Sequence, residues 1–267
     1  MSKKNAIVVL ARGYKDNHNY DNLINRNKNI YKYIWKPELD VIIFHEGNIT
    51  PEQQEYIQKG TKEMPILFGE VGDFFNKQSI KEVDMCKETS ESKRFGLGYR
   101  TMCNFWFAEF LKYLENYEYI LRIDDDCVVE KVNENFQFPP KEFTEFASIE
   151  WWLDHPDVMV GMADFVEKFA KNNSKPFNKD WGGPLTHIML INIPWAKKSE
   201  KFIKAVENTG CIYSNRWGDL PLWGAALMLE GVGKKYIKGL KYHHGSWGVD
   251  FKEKFKYFFY DNYTGVF

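Results

Sequence analysis

Apolar residues gather into short runs in the first third of the chain. Residues 6–10 are continuously apolar and stop at Arg12 and Gly13, the pattern of a buried strand. Residues 40–44 and 65–68 repeat that pattern. Between the first two runs, Tyr20, Leu23, Ile24, Ile30 and Ile34 recur at roughly helical spacing over residues 17–34. Ahead of the third run, Thr50, Pro51 and Gln53 supply an N-cap, a first-turn proline and the reciprocal partner of a capping box. Alternation of this kind predicts an α/β domain with a mainly parallel sheet flanked by helices. Residues 73–96 are charged and aperiodic and read as a surface excursion. Then Met102, Phe105, Trp106, Phe110, Tyr113 and Leu114 lie on one face of a helix over residues 99–115. Later, residues 158–160, 186–191 and 241–244 read as strands, and residues 199–208 and 219–230 as helices, with Gly210 as a stop signal. Residues 251–267 alternate aromatics with charges and read as a packed C-terminal segment.

The helix over 99–115 feeds an apolar strand, Tyr119 to Ile123, that ends in Asp124, Asp125 and Asp126. Neighbouring aspartates repel and disfavour strand, so folding alone gives little reason for three of them. A hard divalent cation gives one: carboxylate oxygens bind Mn²⁺ or Mg²⁺ and leave positions open for phosphate. Open α/β sheets bind ligands beyond the carboxyl ends of their strands, where this cluster falls. The motif therefore points to a metal-dependent enzyme acting on a nucleotide diphosphate, with an acidic strand-capping turn as the alternative. Period-2 alternation places Asp124 and Asp126 on one face and Asp125 on the other.

Composition narrows the field. The chain has 267 residues, 44% of them hydrophobic and 17% aromatic, enough for a packed core and against disorder. A net charge of -1 excludes nucleic acid as the main partner. No apolar run approaches the length of a membrane span or leader, so a cytoplasmic protein without a transmembrane segment is expected. Cys86, Cys103, Cys127 and Cys211 form no CxxC pair and read as reduced, mostly buried thiols.

Other candidates surround the acids. His243 and His244 sit on an extended segment and face opposite ways, so only one can join a metal. Arg216, Trp217, Gly218 and Asp219 combine a ring face, room for close approach and a carboxylate, a sugar-binding set, although Asp219 also suits a helix N-cap. Gly96, Gly98, Tyr99 and Arg100 open a helix and suit a phosphate. Arg12, Gly13 and Asp16 follow the first strand at the expected ligand crevice.

In order along the chain, these pieces resemble glycosyltransferase family fifteen, the yeast-type α-1,2-mannosyltransferases. Residues 6–12 look like the family's opening strand and its arginine, and residues 44–50 sit where it has an Asn-Asp-Glu turn. Tyr99, Arg100, Met102 and Cys103 match its Tyr-Arg-x-Met-Cys motif, and Arg122 to Asp126 occupy its Arg-Val-Glu-Pro-Asp. Arg216 to Asp219 and Pro221 match Arg-Trp-Gly-Asp-Ala-Pro apart from Leu220, and Tyr242 and His244 match Gly-Tyr-x-His.

The resemblance implies a GT-A-type single domain, with a nucleotide-binding half over about residues 1–130 and an acceptor half over about 131–267. It implies Mn²⁺, a GDP-mannose-like donor, a glycan or glycoprotein acceptor and retention of anomeric configuration. Carried over residue by residue, Asp124, Asp126 and His244 fall at the metal. Arg12, Tyr99 and Arg100 fall at the donor site, where Asp124, Asp125 and Trp217 are further candidates, and Asp219 in the sugar pocket as the candidate catalytic carboxylate. The triple aspartate departs from Glu-Pro-Asp, and residues 186–192 lack the family's glutamate. The alternatives are another nucleotide-sugar donor, a sugar-phosphate nucleotidyltransferase, or a non-catalytic glycan-binding module.

Overall fold

The structure, a computed structural model, describes residues 4–77 and 92–245. Most of the charged excursion, Cys86 and the aromatic C-terminal segment lie outside the described residues. A six-stranded sheet runs in the order β3-β2-β1-β4-β9-β6. Its first half is parallel: β1 (Lys4–Ala11) pairs with β2 (Leu39–His45) and with β4 (Tyr117–Ile123), and β2 pairs with β3 (Leu67–Glu70). The third strand thus lies slightly later than the apolar run at 65–68 predicts. Beyond β4 the sheet turns antiparallel through β9 (Ile188–Asn192) to the edge strand β6 (Phe146–Ser148). Both neighbours of β9 oppose it, so β6 runs the same way as β4.

Helix α1 (Asp21–Tyr33) buries Leu23, Ile24 and Ile30, the face its periodicity predicts. Helix α2 (Pro51–Gly60) begins with the complete Thr50–Gln53 capping box. Helix α3 (Leu97–Asn104) passes through a π segment (Phe105–Glu109) into a last turn (Phe110–Tyr113). One extra residue in that turn lets Phe105, Trp106, Phe107 and Phe110 all be buried, where a regular helix would turn some outward. Trp106 and Phe107 pack with Trp223 of the all-round apolar helix α6 (Asp219–Leu229), whose indole N–H donates to the Trp106 carbonyl at 2.9 Å. Helices α4 (Met162–Asn172) and α5 (Glu200–Thr209) close that side, and Gly210 ends α5 in the left-handed region. The strand expected over residues 158–160 is absent; Pro156–Val158 is a 3-10 turn started by proline.

Two small ladders flank the sheet. β5 (Cys127–Val132) pairs antiparallel with β10 (Leu240–His244), and β7 (Trp151–Trp152) with β8 (Gly183–Pro184). Among the described residues, no helix is long and apolar enough to cross a membrane. Cys103 and Cys127 are buried and Cys211 is half-buried, all three free thiols.

Candidate active site

The carboxyl ends of β1, β2 and β4 form a crest that carries Arg12, Glu46 and the three aspartates. β4 ends at Ile123, and the Cys127 N–H donates to the Asp124 carbonyl at 3.1 Å, so the acids occupy a tight turn into β5. The expected strand alternation does not apply because the chain reverses within the triplet. The Asp124 N–H is held by the His187 carbonyl at 2.9 Å.

Each aspartate meets a different environment. Asp124 accepts two hydrogen bonds from Arg122, from Nε at 2.7 Å and from Nη2 at 3.0 Å. That fork takes both of its oxygens. Asp125 faces the crest with Arg12, and burial together with the charges of Asp126 and Asp124 pushes its carboxyl up to about 6. Asp126 faces His244 across the β5–β10 ladder, where His244 is the direct register partner of Cys127. The His244 Nε2 stands 3.4 Å from Asp126 Oδ2. Burial alone would lower the His244 pKa, but the hydrogen bond and charge of Asp126, aided by Asp124, raise it. As alternation on β10 predicts, His243 faces the other way and pairs with Glu130.

The His244 ring stacks on His187 with centroids 4.2 Å apart and planes 7° from parallel. His187 Nε2 also lies 3.0 Å from the Tyr242 hydroxyl. Burial, then the neighbouring His244, holds His187 well below the ordinary histidine range, so it is neutral. His187 was not among the residues singled out from sequence, since a histidine entering an apolar strand gives no local signal.

Asp126, Cys127 and His244 bring one donor atom each within 4.8 Å of one another. Burial raises the Cys127 thiol well above its ordinary range, and hard cations favour oxygen and imidazole over a protonated thiol. Asp126 and His244 fit a Mn²⁺-type ion as neighbouring ligands, since bonds of about 2.1 Å put two adjacent ligand atoms roughly 3 Å apart. Asp124 stands outside that group, its oxygens committed to Arg122.

The remaining candidates divide. Asp219 is buried at the first turn of α6, where Oδ2 accepts from Arg122 Nη1 at 2.9 Å. Gly218 is the N-cap, and no side-chain capping bond is made, so the capping expected of Asp219 is replaced by an ion pair. Arg122 thus bridges the acidic turn to α6, its guanidinium lying 4.4 Å from the Trp106 ring. Sequence reading placed Arg122 in a motif without giving it this role.

Arg100 is fully buried and donates to the main-chain carbonyls of Phe95, Ser92 and Tyr213. It fastens the entry to α3 and does not face the crest, contrary to the expected phosphate contact. Trp217 is 2% exposed, donates to the Val160 carbonyl and packs on Phe165, so it is core and no sugar platform. Tyr99 is half-buried, and its hydroxyl accepts from Arg216 Nη2 at 3.0 Å. Arg216 itself occupies the left-handed region at φ 59, held there by Tyr99, Asp154 and the Phe95 ring.

No family model matches the chain. Among curated proteins it is similar to the probable mannosyltransferase KTR4 of Saccharomyces cerevisiae, 24% identical across 68% of this chain and 48% of the relative. The chain therefore spans about half the length of that relative. Among solved structures it resembles mannosyltransferase Ktr4p from S. cerevisiae, with TM-score 0.75, 19% identity, and coverage of 91% of this chain and 70% of that one. The same yeast protein in complex with GDP gives TM-score 0.74 and 18% identity, covering 91% of this chain and 71% of that one. Core-mannan synthase A from Aspergillus fumigatus, in a Mn/GDP form, gives 0.72 and 16%, covering 91% and 75%. The fold is GT-A, and the likeness to yeast-type mannosyltransferases read from the motifs is found again in both sequence and architecture.

Proposed function

We propose that this chain is a divalent-metal-dependent, retaining glycosyltransferase that moves mannose from GDP-mannose to a hydroxyl of a glycan. The observation that carries the reading is the Asp126–His244 pair beside Asp125, at the carboxyl end of a GT-A sheet. The GDP and Mn/GDP complexes of the two similar fungal proteins support a GDP donor and Mn²⁺.

Asp126 and His244 would hold the ion, which when bound supplies Lewis-acid neutralisation of the departing diphosphate. Asp125 and Arg12 face the same space and suit the ribose and the phosphates. Stacking on neutral His187 fixes the plane of the His244 ring, a positioning role typical of groups behind a metal ligand. Asp219 acts through Arg122: its carboxylate anchors the guanidinium that holds the acidic turn. In the transfer, the bond from the anomeric carbon to the phosphate oxygen breaks and a bond to the acceptor oxygen forms on the same face. The acceptor's proton passes to the leaving phosphate.

The test is GDP release from GDP-mannose with Mn²⁺ and a mannoside acceptor, repeated in excess EDTA and with Asp126→Asn. Loss of release in both supports the reading. Undiminished release in either overturns the metal assignment, and pyrophosphate as product identifies a nucleotidyltransferase instead. Sugar binding with no release identifies a glycan-binding module.

A further inference from the structure

The β7–β8 ladder carries an exposed apolar strip that this chemistry leaves unused. Trp152 is 54% exposed and the adjoining Leu153 64%. Tyr236, 53% exposed, lies on the segment that runs beside β6, bridged to Ser148. Single exposed apolar residues are ordinary, but a tryptophan and a leucine together, on a braced element at the ligand end of the sheet, are not.

The register locates the strip. Arg122, Met189 and Ser148 form one row across β4, β9 and β6. Since β6 and β4 run the same way, the residues after Ser148 rise on the side where those after Arg122 carry the acids. The Leu185 N–H donates to the Glu150 carbonyl and Trp152 pairs with Gly183, so the segment after β6 stays beside the one leading into β9, beyond that row on the side of the acids.

The strip is also rigidly joined to the site. Trp152 pairs with Gly183. A Cβ on Gly183 would lie 1.9 Å from the Leu220 carbonyl oxygen, and one on Gly224 would lie 2.4 Å from that of Gly182. The β7–β8 ladder therefore sits directly on the first turns of α6, whose Asp219 holds Arg122 and, through it, Asp124. On the other side of the ladder's base, Trp151 donates to the Lys235 carbonyl at 3.1 Å. Next along the chain, Asp154 is fixed by Arg216 at 2.9 Å. These ties hold the backbone while the Trp152 and Leu153 side chains stand in solvent.

We infer that Trp152 and Leu153 form the acceptor subsite, seating the apolar face of a neutral hexose ring at the rim of the transfer site. The occupant follows from the chemistry. An indole offers a flat apolar face of hexose size at low conformational cost. Asp154, paired with Arg216, and Lys234, beside Gly182, edge the strip with polar groups of the kind that hydrogen-bond sugar hydroxyls. The ladder that carries the strip packs on α6, whose Asp219 holds Arg122 behind the acidic turn, so the ligand assigned to it is the second substrate. The inference rests on the glycosyltransferase reading.

The experiment uses α-1,2-mannobiose as probe. With GDP-mannose and Mn²⁺, Trp152→Ala is expected to raise the KM for mannobiose about tenfold or more, as expected for loss of one stacking contact, with little change in kcat. Trp152→Phe should recover most of the loss, and Phe143→Ala should leave the KM unchanged. Phe143, 61% exposed, precedes β6 and lies at the opposite end of the sheet. A KM within twofold of wild type in Trp152→Ala overturns the inference, as does dissociation of a dimer by that substitution. Saturation-transfer NMR of mannobiose binding, made without donor turnover, separates the two claims. Binding lost in Trp152→Ala upholds the subsite even if GDP release fails, and binding retained overturns it even if release succeeds.

Discussion

Removing the Arg122 guanidinium is the sharpest test of how the site is built. Arg122 is 2% exposed and Asp219 5%, so their ion pair is shielded from water, whereas Asp124 at 27% is partly screened. In Arg122→Met the apolar stem is retained and the stacking volume over Trp106 is largely filled. What is lost is the partner of a buried carboxylate. Breaking a buried pair in that way costs about 3–5 kcal/mol. The partly exposed Asp124 adds little, since a screened ion pair contributes about 0–1 kcal/mol. For a chain of this size that corresponds to a melting temperature lower by roughly 6–20 °C. The assay is equilibrium urea unfolding at constant slope, with the triple variant Arg122→Met, Asp124→Asn, Asp219→Asn alongside. Removing all three charges together leaves no uncompensated ion, so the triple variant should recover most of the stability lost by the single one. A single variant within about 1 kcal/mol of wild type, or a triple variant no better than the single, would refute the argument that Arg122 is the internal counter-ion of the site.

Asp126→Ala and His244→Ala should each weaken Mn²⁺ binding by at least the roughly 10–100-fold that losing a group behind a ligand costs, read by titration calorimetry, while leaving the circular dichroism spectrum intact. Equal Mn²⁺ affinity would show that the ion sits elsewhere. Gly183→Ala should destabilise by about 1–3 kcal/mol in thermal unfolding, because its Cβ has no space against the Leu220 carbonyl; a neutral result would mean that β8 and α6 are not packed as described. Glu145 supplies a pH test. Burial would raise its pKa, but the hydrogen bond and charge of Lys235 outweigh burial and lower it. Its contribution is therefore present above the unfolded glutamate value and is lost as pH falls through the lower folded value. Glu145→Gln should lose less stability than wild type between pH 6 and 3.5, and parallel losses would show the pair to be inert.

Where local chemistry decided the outcome, the sequence reading and the structure agree. Thr50, Pro51 and Gln53 interact within one turn, so the start of α2 was legible to the residue. The alternation of His243 and His244 held because both lie on one regular strand, β10. Alternation failed for the aspartates because a turn breaks the period, and the turn is set by a hydrogen bond from Cys127 rather than by a glycine or proline. Trp217 and Arg100 show another limit. Both belong to motifs matched to a family, and a motif match locates a residue without saying which way its side chain turns. Trp217 turns into the core beside Phe165, and the long stem of Arg100 folds back onto three carbonyls. The pairing of β5 with β10, which brings His244 to Asp126, joins distant segments and leaves no trace in any local pattern.

Three adjacent acids would repel if all were equivalent, and the fold makes them inequivalent. Two buried arginines lie against the turn. Arg26 of α1, its pKa lowered to about 10 by burial but supported by the charges of Asp125 and Asp124, donates to the Ile123 carbonyl at 2.7 and 3.0 Å. Through Nη2 it also reaches the Val8 carbonyl at 3.4 Å, tying the middle of β1 to the end of β4. Arg122 forks onto Asp124 through Nε and Nη2 while its Nη1 holds Asp219. The inner acid is thus partnered within the protein, and Asp125 and Asp126 are left without such a fork, beside a histidine whose raised pKa records the pull of Asp126 and Asp124. Such an arrangement suits a cation at its outer edge without the fold depending on one. It follows that Asp124 and Asp126 should fail differently when changed to asparagine: Asp124→Asn should leave Mn²⁺ affinity little altered, and Asp126→Asn should weaken it about tenfold or more. If both substitutions shifted the same quantity, the division of labour within the triplet would be wrong, and Asp124 would have to be counted among the metal ligands.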